Sequence, residues 1–430
     1  MNSSVARRPW WLYALTLAAF VVQTDDFIIV GVLPEMAADL RVAEPTAGQL
    51  VTAYSLVYAL AAPAWSLVLT RVSRRAALMC ALAFFTAVNF AVLAVGSYPQ
   101  LMVLRVLAAG AAAVALPSAL AVAGALAPAE RTGRYLATVM LGLTGAVLVG
   151  VPASTWIGAG FGWRATFTSC GLIGIAAFAG VALALPAVET PRGQQRETFA
   201  GLLRPLLSGA VAAILVVTVL VVAGNLAFQT YISVYMADLA GAGPRTLAVL
   251  LVCAGVGGIV GTRTSGWLAD RYKPLRAFAL ACGVFCTAML ALGLLWLVRP
   301  VPAVFVAGLL LVWSASAWAV PPSIQVLMLS RSGTRAAAQA MAVSSSSAYV
   351  GSALGGALGG TVVALDEGLL SLVAIALVAA GLVLALLTLR VPVTEDEPSA
   401  PAEGEAPRGG RQHSATPVRR PLEDGPHHRA

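Results

Sequence analysis

Charge is what this chain lacks most. Of its 430 residues only 11% are charged, against roughly 25% in soluble domains, which excludes an ordinary soluble enzyme or binding domain. Lysine is almost missing: Lys273 stands alone, and arginine supplies the rest of the 27 basic residues. Histidine is absent until the final stretch, where His413, His427 and His428 fall in a polar tail. The body of the chain therefore has no imidazole to bind a metal or move a proton. Cysteine is scarce and unpatterned. Cys80, Cys170, Cys253, Cys282 and Cys286 all lie in apolar segments with no CxxC spacing and no neighbouring His, so they read as packed thiols and not as a metal or redox centre. No Walker sequence occurs, which argues against ATP as the energy source. Clusters of His, Cys or carboxylates at one interface, which an integral-membrane enzyme needs, are missing too. The first apolar run has no small-residue cleavage site, so a cleaved signal peptide is not expected.

What fills the chain instead is apolar sequence: 59% hydrophobic residues and a mean hydropathy of +0.86. A bilayer crossing needs about 20 such residues. Runs of that length fall near 10–34, 48–69, 76–96, 101–127, 135–159, 166–186, 207–236, 246–268, 276–298, 301–322, 337–364 and 368–390. The fold class is thus all-α integral membrane, with twelve transmembrane helices. The net charge of +8 does not mark a nucleic-acid binder, because the arginines sit in short clusters between apolar runs. With the N-terminus in the cytoplasm, inner segments carry sixteen Arg and Lys and outer loops four (Arg41, Arg164, Arg245, Arg299). That bias predicts a multi-pass protein of the cell membrane with both termini cytoplasmic.

The longest polar interruption before the tail, Ala187 to Arg204, divides the chain into halves. A weak internal copy supports the division: Ser66–Arg71 follows the second run, and Gly266–Arg271 follows the eighth at an offset of 200 positions. Two six-helix, pseudo-symmetric halves follow from this. The expected plan is a short N-terminus (1–9), a first bundle (10–186), a linker (187–206), a second bundle (207–390) and a tail (391–430). The tail is rich in Pro, Gly and charge, and its composition is that of a disordered segment.

One stretch carries chemistry. Thr24-Asp25-Asp26-Phe27 places two adjacent carboxylates inside the first apolar run. An ionised carboxylate in a bilayer costs several kcal/mol unless it has a partner, water or a proton. Arg105 lies in the fourth run, which crosses in the opposite direction, at a similar depth in the outer leaflet.

These residues also carry a resemblance. TDDFIIVGVLP (24–34), Leu101–Arg105 followed by Gly110, and Gly145, Gly150, Pro152 with Gly162-Trp163-Arg164 resemble the major facilitator superfamily, and within it the twelve-helix drug–proton antiporters. Asp26 stands where a glutamate is common in that branch. The loop signature after the second run is degenerate: Ser66, Thr70 and Ser73 replace its glycines and aspartate, while Arg71, Arg74 and Arg75 remain. Gly266, Asp270 and Arg271 match it in the second half.

The resemblance implies a secondary transporter that works by alternating access, a monomer by the family's default, with protons and a small molecule as its partners, the lipid bilayer around it, and the proton gradient in place of any cofactor. Asp25, Asp26 and Arg105 become the proton-coupling candidates. Adjacent helical residues point about 100° apart, so one aspartate is expected to face the cavity, and the signature favours Asp25. Arg71, Arg74, Arg75, Gly266, Asp270 and Arg271 become gating residues; Gly145, Gly150 and Pro152 become the antiporter motif. Asn225, Gln229, Tyr231, Ser345 and Tyr349 are candidates for the substrate cavity. Each of these five also has a plainer reading as an interhelical hydrogen-bonding residue. The glycine run 351–360 reads as close helix packing.

Walls rich in Ala, Val, Leu and aromatics suit hydrophobic or amphipathic compounds better than sugars. Efflux of drugs or natural products is the first reading. Proton-coupled transport of a polar metabolite is the second, and a non-transporting membrane sensor the third.

Overall fold

The computed structural model describes residues 10–68, 72–128, 131–186 and 209–389, which belong to one compact unit. Residues 1–9, Arg71, the expected linker 187–206 and the tail from 391 lie outside the described residues. Among the described residues every regular element is helical.

Helix α1 (Trp10–Leu40) shows why sequence boundaries mislead. Pro34 does not end it. The helix stops only where Arg41 adopts a left-handed backbone (φ 56°) and Val42 N donates back to Ala37 O, a common helix terminator. Asp25 consequently lies fifteen residues from either end of a 31-residue helix, about 22 Å along the axis. It is central, deeper than the outer position expected from a helix ending at Pro34.

The first half continues with α2 (Glu44–Val68), α3 (Arg74–Ala91), α4 (Tyr98–Leu126), α5 (Thr132–Gly145), α6 (Val151–Phe161) and α7 (Trp163–Ala184). A short 3-10 turn, Val92–Ala94, extends α3. A π-helical turn, Ala146–Gly150, joins α5 and α6 into one crossing. Pro152 sits in the first turn of α6, where its missing N–H is least costly, and the wide π turn absorbs it.

The second half comprises α8 (Gly209–Thr230), α9 (Ile232–Ala240), α10 (Pro244–Arg271), α11 (Pro274–Trp296), α12 (Ala303–Val363) and α13 (Leu369–Thr388). Helices α8 and α9 form one crossing interrupted at Tyr231. Helix α12 has 61 residues, about 90 Å if straight and three times the bilayer core of about 30 Å. Yet both its ends meet the same face. Val301 N donates to Leu239 O at 2.8 Å, while Gly360 approaches Pro45 O and Gly368 abuts the Trp296 indole. The chain therefore doubles back within α12 and crosses twice. Arg331, donating to Leu389 O at 2.8 Å, marks the opposite face. Twelve crossings result.

Among the described residues ten helical segments are long and apolar enough to cross a membrane. The two remaining crossings, α2 and the second part of α12, are less apolar because they face each other across the halves. Gly360 approaches Gln49, Gly356 approaches Thr52, and Ser352 Oγ lies 2.7 Å from Ser55 Oγ. Tyr349 stacks on Tyr58 with ring centroids 3.8 Å apart. Gly351, Gly355 and Gly359 point the other way, onto the backbone carbonyls of Val219, Ala223 and Ala227 in α8. The glycine run thus serves two helix contacts at once. Tyr231 closes the top of this seam, donating to Gly356 O at 3.2 Å and Pro45 O at 3.4 Å. In the orientation that the arginines predict, this is the outer end, and it is sealed.

Candidate functional site

The site is built where α1, α2 and α4 meet the second crossing of α12. From α4, Arg105 Nη1 donates to Asp25 Oδ2 at 2.9 Å and to Asp25 O at 3.1 Å. Both side chains are buried, with 2% and 1% of their surface exposed. The guanidinium also lies over the Tyr54 ring of α2, 4.3 Å from its centroid, a cation–π contact that is strongest when desolvated as here. Sequence depth alone made an Asp–Arg pair feasible, and the structure forms it.

Asp26 turns elsewhere. Its Oδ2 accepts from Gln23 Nε2 at 3.2 Å and from Tyr349 Oη of α12 at 3.4 Å. The two carboxylates thus divide: Asp25 faces into the first half, and Asp26 faces the second. The sequence expectation has Asp25 facing the cavity; in the structure Asp25 is taken by Arg105, and Asp26 is the one that reaches α12. The cause is the 100° step between neighbours, with Arg105 fixing the phase of α1 by capturing Asp25. A second ion pair, Arg164–Asp39, lies half-exposed at the C-terminal end of α1, where Arg164 also donates to Val95 O and Trp163 Nε1 donates to the same Asp39 oxygen.

The motif glycines support this centre. A side chain at Gly150 would collide with Thr24, beside Asp25; two turns back, one at Gly142, outside the motif, would meet Thr16 O, so the crossing of α5 and α6 lies hard against α1. Gly145 faces Phe20 at ordinary contact distance. Above Asp26, Phe27 and Val30 of α1 border a cavity of about 30 Å3 with Val147, Gln229 and Trp313. Pockets that take drug-sized ligands measure about 300–1,000 Å3, so this cavity must widen before such a molecule enters.

The remaining candidates are dispersed. Gln229 lines that cavity and accepts from Asn225 Nδ2 at 3.0 Å. Tyr231 belongs to the outer seam and not to the cavity. Ser345 is exposed and donates to Met341 O in its own helix. Tyr349 sits at the centre of the site. At the face opposite the Tyr231 seam Arg74 donates to Ala121 O and Arg75 to Ala182 O, so both bind carbonyls at the C-terminal ends of α4 and α7, where cations are favoured. Arg271 is exposed in the last turn of α10. Arg71 and the side chain of Asp270 lie outside the described residues, and Gly266 is placed only as a backbone position of α10.

Sequence reasoning missed Gln23, Tyr54, Tyr58 and Asn89. Tyr54 and Tyr58 are spaced i, i+4, which places them on one helix face. That spacing, and the lone amide of Asn89 in an otherwise apolar third crossing, were the available signals.

This architecture, two six-helix halves with a charged centre between them, is that of a membrane transporter. A profile of the Major Facilitator Superfamily matches residues 15–356. The chain belongs to that superfamily and is a multi-pass integral membrane protein; the family is one of transporters, not an enzyme class. It is 32% identical over 383 residues to the inner membrane transport protein YdhP of Escherichia coli O157:H7, covering 87% of this chain and 94% of that one. It is 33% identical over 292 residues to a chloramphenicol resistance protein of Streptomyces lividans, covering 67% and 73%. The fold is similar to that of a bacterial homologue of the human lysosomal transporter Spinster in an inward-facing, unoccupied conformation (TM-score 0.66, 15% identity, 88% of this chain and 95% of that one). It is also similar to that of a peptide transporter (TM-score 0.74, 13% identity, 90% and 95%).

Proposed function

We propose that this protein is a proton-coupled exporter of small hydrophobic or amphipathic compounds, acting as a monomer in the cell membrane with both termini cytoplasmic. The observation that carries the reading is the buried centre of Asp25, Asp26 and Arg105, placed where the two halves meet. Charge inside a bilayer is costly and marks a proton or ion pathway when it is retained. The similarity to a chloramphenicol resistance protein supports export of a small, largely apolar compound, as do the Phe27, Val30, Val147 and Trp313 walls.

The steps follow from the contacts. In the outer-sealed form an ionised Asp26 accepts from Tyr349, and a hydrogen bond to a charged acceptor is about twice as strong as a neutral one. Protonation weakens this tie between the halves, and deprotonation restores it. A proton that enters from the outer side and leaves toward the cytoplasm thereby biases the two arrangements in turn. Substrate moves the other way through the same cleft, between Phe27, Gln229 and Trp313.

The test is accumulation of dyes in inverted membrane vesicles given an inside-acid proton gradient. The panel comprises hydrophobic cations and neutral antibiotics, with and without a protonophore. Uptake that the protonophore abolishes is expected. Uptake indifferent to the protonophore refutes proton coupling, and no uptake across the panel refutes the substrate class and favours a polar metabolite or import.

A further inference from the structure

Helix α11 and the first crossing of α12 leave a groove of about 390 Å3 between them. Leu280, Gly283, Val284 and Thr287 form one wall, and Leu309 and Val312 the other. Leu280, Val284 and Val312 are exposed, so in a membrane the groove opens to lipid. It follows α11 from Ala279 to Ala291, about 18 Å along the axis and a little more than one leaflet of a hydrocarbon core of about 30 Å. The groove exists because Gly283 has no side chain. A Cβ there would meet no atom within 4 Å, so packing inside the protein does not call for glycine, which a helix interior disfavours relative to alanine. Thr287 adds no free polar group, because its Oγ1 donates to Gly283 O at 2.9 Å.

One end of this apolar groove carries charge. Positions 276, 280, 283 and 287 recur at the three- and four-residue spacing of a single helix face, so Arg276 stands on the groove's own stripe, one turn from Leu280. Arg276 and Lys273 are both exposed. They lie at the start of α11, whereas Trp296 at its other end abuts Gly368 at the sealed face. No carboxylate occurs between Asp270 and Asp366, so neither wall of the groove neutralises them. The first turn of a helix also favours an anion.

We propose that this groove binds one acyl chain of an anionic glycerophospholipid, whose headgroup phosphate rests on Arg276 and Lys273. The bilayer supplies the chain, and charge complementarity selects the headgroup. In the orientation that the arginines predict, this is the cytoplasmic leaflet, where basic residues beside a membrane helix attract anionic lipid. A second copy of the protein suits the groove less well, since a two-fold pair apposes the same patch of each copy and would bring the two cationic ends together. The inference does not depend on the export reading.

The test is native mass spectrometry of the purified full-length protein, released from detergent after incubation with phosphatidylglycerol or with phosphatidylcholine of the same chain length. Each basic residue beside a membrane favours anionic lipid about five-fold. Wild type is therefore expected to retain one phosphatidylglycerol in clear preference to phosphatidylcholine, and Arg276→Gln to lose about five-fold of that preference. Gly283→Leu fills the groove where a side chain meets nothing, and is expected to retain neither lipid. Equal retention of the two lipids by wild type overturns the proposal, as does a Gly283→Leu protein that holds phosphatidylglycerol as wild type does. A wild-type dimer that Gly283→Leu separates would overturn it too, by assigning the groove to a second copy. Should Gly283→Leu not yield folded protein, Arg276→Gln, a change at an exposed helix end, alone decides: an unchanged preference refutes the site.

Discussion

Removing Arg105 alone should destabilise the protein far more than removing the pair. The gross attraction at the 2.9 Å separation of Arg105 and Asp25 is about 6 kcal/mol for an effective dielectric of about 20. Desolvation of both ions offsets much of it, so the intact pair contributes little net stability. Deleting one partner of such a pair costs about 3–5 kcal/mol, because the other charge is left buried. Arg105→Leu strands Asp25, and it also forfeits the contact with the Tyr54 ring, which adds about 1 kcal/mol. Asp25→Leu strands the guanidinium. The double variant Asp25→Leu/Arg105→Leu strands neither. The assay is unfolding of the purified protein in mixed micelles with increasing sodium dodecyl sulfate. Each single variant is expected to lose several kcal/mol, and the double variant to recover at least half of the loss. Single variants as stable as wild type would refute the buried pair; a double variant that loses the sum of both would refute the coupling.

Three further outcomes follow. Ser55→Cys/Ser352→Cys places two sulfurs where the hydroxyl oxygens are 2.7 Å apart, close to a disulfide's bond length of about 2.05 Å. Oxidation should lock the outer seam and stop transport, with recovery on reduction; unimpaired transport by the oxidised protein refutes the seam as part of the cycle. Gly261→Val would push a side chain onto the Ala315 carbonyl, where backbone must yield, so a loss of about 1–3 kcal/mol is expected; an unchanged unfolding curve contradicts the α10–α12 packing. Asp39→Asn removes a pair whose side chains are 30% and 48% exposed, and such pairs contribute about 0–1 kcal/mol. A loss of several kcal/mol would contradict its peripheral standing.

The twelve crossings were legible because bilayer thickness sets a length that hydropathy can count. The helix ends were not. Pro34 looked like a terminus, but a proline inside a membrane helix is tolerated where neighbours satisfy the freed carbonyl, and Arg41 supplied the true stop. The π turn at Ala146–Gly150 leaves no period in the sequence. The doubling back within α12 was visible as two apolar runs but not as one helical record. At the site, the residue types were readable and their facing was not. A pair of adjacent aspartates gives no indication of which one Arg105 takes, since that depends on the rotation of α1 against α4. The same limit displaced Tyr231, which sequence placed with the cavity and which tertiary packing set in the outer seam.

The central claim is that substrate and proton exchange at the interior carboxylates. The most direct measurement is proton release from the purified protein in weakly buffered detergent solution, followed with a pH-sensitive dye. The ligand added is a compound that energised vesicles accumulate. Release of about one proton per protein is predicted, present in wild type and absent in Asp26→Asn. No release from wild type, or equal release from Asp26→Asn, would contradict the account.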